Sequence, residues 1–331
     1  MRAILRQTVR LFVCVLLLYF ILALLTEVIS LRKRYVDIGD EWRDAFPFLT
    51  FDVCRLQRNE KPKLIILGSS NCMVGFRPEH LQPLFPEYEV ANLSIPGANM
   101  SDIRQIVELL QLLLPRHVLD KSLFFVGMWY GSFSWERSPV VNESLVKIGL
   151  YKWNGESIQS VVPAENMDLF VRLLRPLVLC RELLERTREA FMNVGADSFL
   201  PEGTECGANS EEKTIGLLQY YESFYGGHAA SEFNELLAIC DLIESGGGEL
   251  VLIDMPLPRW HQEASLFHFE YQQRKQPFLE EALQYQCVKY IDMIDDPDLS
   301  DEMNYRDATH ACGPAQEMWS RVLKAHFELI R

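Results

Sequence analysis

The chain has 331 residues, 48% of them hydrophobic and 11% aromatic, with a formal net charge of −14. That length and apolar content support one sizeable folded domain and exclude a disordered or low-complexity chain. The acidic balance opposes nucleic acid and anionic lipid surfaces as partners, because both repel a negatively charged surface.

Residues 1–10 read as a short tail carrying Arg2, Arg6 and Arg10, and Leu11 to Ile29 is apolar except for Thr26 and Glu27. As a helix this stretch spans about 28 Å, close to the hydrocarbon thickness of a bilayer. Apolar on every side, and flanked by those arginines and by Arg32-Lys33-Arg34, it reads as a transmembrane segment over 11–30 rather than a buried core helix. It exceeds the usual apolar region of a secretion signal and no Ala-x-Ala-like site follows, so an uncleaved signal anchor is expected. Three basic residues lie on each side, so charge does not orient the span. The first 30 residues hold three Arg and one Glu, which leaves −16 on the remainder. Residues 31–60 read as a linker and 61–331 as the folded domain.

The first strand, over 63–68, is the apolar run Leu64-Ile65-Ile66-Leu67, and it enters Gly68-Ser69-Ser70 directly. A glycine-containing turn there exposes a serine at the carboxyl edge of a sheet, where open α/β folds bind ligands. Asn71 and Cys72 follow, so the second glycine of a G-x-S-x-G elbow is absent. A second strand over 89–93 runs into Ser94-Ile95-Pro96-Gly97-Ala98. Ser101-Asp102 caps a helix in which Ile103, Ile106, Val107, Leu110 and Leu114 share a face, ended by Pro115. The third strand, 122–128, leads to Gly127-Met128-Trp129.

An insertion over about 130–213 is too long for a simple connection. Trp129, Tyr130, Phe133 and Trp135 open it as an acyl- or sugar-binding wall, or as core packing. Apolar residues at helical spacing within Met167 to Phe191 form a core helix, a lid or a membrane-facing helix. A helix over about 214–245 and three glycines return the chain to a fourth strand, 249–254, after which Met255-Pro256-Leu257-Pro258 borders the site. A fifth strand over 288–293 precedes Asp307-Ala308-Thr309-His310. The last helix carries Trp319, Val322, Leu323, Phe327 and Ile330, with His326 on its packed face. Strands alternating with helices predict an α/β fold, a three-layer α/β/α sandwich with a central parallel sheet of about five strands.

A serine hydroxyl is a poor nucleophile at neutral pH and needs a base within reach plus a group to orient that base. Ser70, His310 and Asp307 supply the three types, and no other histidine has a carboxylate at comparable spacing. Neither a CxxC pair nor an H-E-x-x-H run occurs, so no metal site is expected.

From about residue 61 to 331 the chain resembles the SGNH (GDSL-like) hydrolase superfamily. Gly68-Ser69-Ser70 fills the first block, with Ser69 in place of the usual Asp, and Asp307-x-x-His310 fills the last. Gly97 fits the second block. Gly127 fits the third, where Trp129 replaces the usual Asn. The resemblance implies Ser70 as nucleophile, His310 as base, Asp307 as its orienting partner, and an oxyanion hole from the Ser70 and Gly97 N–H groups. Asn71, Trp129 and Tyr130 are candidate walls of the substrate site. The implied chemistry, an esterase or O-acyltransferase acting on acyl groups of cell-envelope or extracellular glycans, needs no cofactor. Membrane-anchored bacterial members of the alginate-acetylation and teichoic-acid D-alanine-transfer type imply an extracytoplasmic domain and a membrane acyl-transfer partner. Trp129 is the argument for the alternative, a catalytically degenerate binding or assembly protein. Outside the membrane segment lie seven cysteines, so at least one stays unpaired in a monomer. Cys72 and Cys312, each two residues from a candidate catalytic residue, are either a disulfide or small buried hydrophobes.

Overall fold

The computed structural model describes residues 2–32, 49, 53–134, 151–153, 157–174, 176–177, 206–207, 216, 218–219, 222–223 and 227–331, with backbone only for 2–3, 26–32 and 153. Trp135 and most of the expected insertion lie outside the described residues.

Strands β1 (Lys63–Leu67) and β3 (Leu123–Met128) are buried at every position. Such unbroken apolar runs fit only the middle of a sheet covered on both faces. With β2 (Glu89–Asn92), β6 (Glu249–Asp254) and β7 (Val288–Asp292) they form an all-parallel sheet in the order β2-β1-β3-β6-β7. Each strand ends within a residue of its sequence expectation. The order is the 2-1-3-4-5 arrangement of flavodoxin-like folds, which opens a crevice at the carboxyl ends of the strands beside β1 and β3. A separate antiparallel pair, β4 (Tyr151–Trp153) and β5 (Ile158–Ser160), lies in the insertion.

Helices α3 (Met100–Leu113), α5 (Ala230–Gly246) and α6 (Leu266–Ala282) pack together on one face of the sheet. The six-residue α2 (Ser70–Gly75) and the C-terminal α7 (Gly313–Ile330) pack on the other. Phe125 of β3 meets Phe327 of α7 with ring centroids 5.7 Å apart. Leu49, Val53, Cys54 and Leu56 also lie in the core, so the expected 31–60 linker contributes to the domain.

Two expectations shift. The cap of α3 is Asn99 rather than Ser101-Asp102. Asn99 accepts the Asp102 N–H at 2.9 Å, and the Asp102 carboxylate accepts the Asn99 N–H at 3.3 Å. Ser101 is instead held by buried Glu232 of α5, which accepts its N–H at 2.8 Å and its hydroxyl at 2.7 Å. His326 is not on the packed face; its Nε2 lies 3.6 Å from the Asp296 carboxylate and is partly exposed.

Helix α1 covers Arg2–Arg32, and within it Ile4–Leu25 is long and apolar enough to cross a membrane. The helix extends on both sides of the expected 11–30 segment, since arginine is a good helix former and does not interrupt it. A further helix, α4, covers 167–174, with 176 and 177 also helical.

Candidate active site

Ser70 is the first residue of α2, three positions beyond the end of β1, and is 3% exposed. The elbow forms because Gly68 has no side chain: a Cβ there would lie 2.7 Å from Cys72. The Asn71 side chain fixes the turn, its Oδ1 accepting the Ser69 hydroxyl at 2.7 Å and the Cys72 N–H at 2.8 Å. Because a backbone N–H can only donate, that second bond assigns the amide oxygen, and the Asn71 NH2 points elsewhere. Asn71 Nδ2 is buried and has no acceptor among the described residues. No hydrogen-bond partner among the described residues reaches Ser70 Oγ.

The loop after β2 is drawn to this elbow by the Ile95 N–H, which donates to the Gly68 carbonyl at 3.1 Å. Ala98 N–H then returns to the Ile95 carbonyl at 3.2 Å, with Pro96 and Gly97 between and Gly97 at φ +68°. Proline followed by a glycine of positive φ is the type II turn arrangement. It makes Gly97 a conformational requirement at this position.

Asp307 and His310 sit on a loop closed at its base by the Tyr305–Ala311 bridge and by the Cys312 N–H, which donates to the Asn304 carbonyl at 2.9 Å. His310 Nδ1 is 2.7 Å from Asp307 Oδ2, and the other carboxylate oxygen accepts the Thr309 and His310 N–H groups, each at 2.8 Å. Burial alone would raise the Asp307 carboxyl. The charge and hydrogen bond of His310, with Arg306 and the Thr309 N–H, outweigh that and hold it down at about 2. The pair therefore has the geometry of a base oriented by an ionised carboxylate.

His261 is a site residue that the sequence reading passed over. Its Nδ1 donates to the Ala308 carbonyl at 2.8 Å, which leaves Nε2 to accept the Tyr130 hydroxyl at 2.9 Å. The imidazole is fully buried, and that burial lowers its pKa to about 4. It thus ties the loop after β3 to the carbonyl between Asp307 and His310. The available signal was position, because His261 follows the Pro256-Leu257-Pro258 exit from β6. Trp129 and Tyr130 are both buried, with ring centroids 4.8 Å apart. Gly127 abuts Cys72, where a Cβ would collide with its sulfur. These contacts link α2 to β3, β3 to Tyr130, Tyr130 to His261, and His261 to the Asp307–His310 loop.

Of the two expectations for the cysteines beside the site, Cys72 follows the buried one and Cys312 is disulfide-bonded, to a different partner. Cys312 forms a disulfide with Cys206, while Cys72 is a buried thiol whose Sγ lies 3.4 Å from Met255 Sδ. Cys72 points into the packing between α2 and the sheet, against Gly68 and Gly127. Among the described residues no cluster of His, Cys, Asp and Glu is arranged to hold a metal ion.

No family model and no curated protein sequence matches the chain. Among solved structures, a GDSL-like lipase from Bacteroides thetaiotaomicron is similar at 10% identity and a TM-score of 0.39, over 88% of this chain and 100% of that one. A protein assigned as an acylhydrolase from Bacteroides fragilis is similar at 10% identity and a TM-score of 0.36, over 83% and 90%. At such scores neither likeness identifies this chain's reaction.

Proposed function

We propose that this chain is a membrane-anchored serine esterase or O-acyltransferase of the SGNH type, acting on acyl esters outside the cytoplasm. The observation that carries the reading is the 2.7 Å Asp307–His310 pair on a loop tied, through His261 and Tyr130, to the sheet edge where Ser70 opens α2. Ser70 Oγ attacks the acyl carbonyl and His310 takes its proton. The tetrahedral intermediate collapses with departure of the alcohol, which receives that proton from His310. Water or a second hydroxyl then releases the acyl group by the same steps. Asp307, ionised, keeps the imidazole in the required tautomer.

The Ser70 and Gly97 N–H groups are the assigned oxyanion donors. Trp129 stands where the superfamily has a third donor, and the loss of one such donor costs about 2.7–4 kcal/mol of transition-state stabilisation. The buried NH2 of Asn71, adjacent to the nucleophile, is the donor we assign in its place. Glycan acceptors and a membrane partner that supplies the acyl group belong to the transferase form of this proposal. The Cys206–Cys312 disulfide supports an extracytoplasmic domain, because such bonds persist in oxidising compartments.

A binding or assembly protein that retains the fold without the chemistry is the second reading, favoured by Trp129 and by the absence, among the described residues, of a bond to Ser70 Oγ. A fluorophosphonate probe separates the two. The enzyme gives a single adduct on Ser70 that disappears in Ser70→Ala and falls sharply in His310→Ala. No adduct under conditions that label a control esterase supports the binding protein.

A further inference from the structure

Helix α4 carries two apolar faces. Met167 and Val171 are buried against the domain. On the outward side, Leu169, Phe170 and Leu177 are 58%, 42% and 57% exposed, and Leu173 lies among them. Positions 169, 170 and 173 fall on one stripe of a 3.6-residue helix. A water-facing side would carry polar groups at these places. The nearby Asp168 is paired with Arg58 and Arg172, at 3.1 and 2.9 Å, on the flank of the stripe.

The stripe meets the N-terminal helix at its centre: the Tyr19 hydroxyl of α1 donates to the Leu173 carbonyl. Tyr19 lies inside the apolar stretch of α1, so Leu173 sits beside the expected membrane-spanning residues and short of their end. The strongly negative domain gains nothing from anionic headgroups, so the occupant is acyl chain rather than a charged surface.

Resting on the anchor assigned above, we propose that α4 is a second membrane contact. Leu169, Phe170, Leu173 and Leu177 insert into the leaflet beside α1 and hold the domain against the bilayer.

The test uses the full chain in phosphatidylcholine vesicles, with a photoactivatable diazirine residue placed singly at Leu16, Leu169, Phe170, Leu177 or Leu329. Leu329 is 84% exposed on the C-terminal helix and serves as the aqueous control. The expected result is a mass increase of one phosphatidylcholine at Leu16, Leu169, Phe170 and Leu177, unchanged in high salt, and none at Leu329. Lipid adducts at Leu16 with only water adducts at the three α4 positions overturn the proposal and leave the anchor standing. Cross-links from α4 to a second copy of the chain overturn it in favour of a dimer face. No lipid adduct at Leu16 overturns both the anchor and the contact built on it.

Discussion

At the scale of single residues, the site depends on side chains whose roles are legible only once the chain is folded. Ser70, Asp307 and His310 could be read from block spacing, because each lies in a short motif beside a recognisable strand. His261 could not, since its partners, Ala308 and Tyr130, are 47 and 131 residues away in sequence. Tyr130→Phe removes the donor to the buried His261 Nε2, which costs about 1–3 kcal/mol in stability. Because His261 fixes the carbonyl between Asp307 and His310, the variant also labels more slowly at Ser70 with a fluorophosphonate. Urea unfolding and labelling rate check the two effects, and a variant equal to wild type in both would remove His261 from the site. Cys312 gave the opposite lesson. Its nearness to His310 was readable, but its partner lay in the insertion, where spacing carries no pairing information.

Among elements, the strands were the most legible, because uninterrupted apolar runs such as Leu64–Leu67 and Leu250–Ile253 fit little except a buried parallel sheet. Helix starts were less so. Asn99 and Ser101 both suit a cap, and the choice was made by Glu232, a residue of another helix that takes Ser101 for itself. The loop bearing Asp307 and His310 is an element in its own right, and the disulfide is what joins its far end to the insertion. That bond closes a loop with a sequence separation of 106 residues. Removing a native cross-link of this span costs about 2–5 kcal/mol, chiefly by releasing the unfolded chain. Cys206→Ser should therefore lower the urea midpoint, and reductant should bring the wild type to the same value while leaving the variant unchanged. A wild type indifferent to reductant would count against a stabilising bond.

For the molecule as a whole, buried histidines set the acid side of its stability. Burial lowers His261 and His268 to about 4, whereas an unfolded imidazole titrates near 6.5. Between these values the unfolded chain binds more protons than the folded one, so stability falls as pH drops from about 6.5 to about 4. Asp307 works in a lower window. Its carboxyl is held at about 2, so its contribution persists above about 4 and is lost as pH falls from there through about 2. Urea midpoints should fall between pH 7 and pH 5, and His268→Gln should flatten that slope; an unchanged slope would show that His268 is not buried neutral.

The parallel topology has one more consequence, and it concerns synthesis. Ser70 follows the first strand, whereas Asp307 and His310 follow the last, 240 residues later. A ribosome that stalls before codon 307 releases a chain bearing the serine but neither the base nor its carboxylate. On the proposed reading such a fragment is inert, and a growing chain stays silent until the loop that follows β7 has been made.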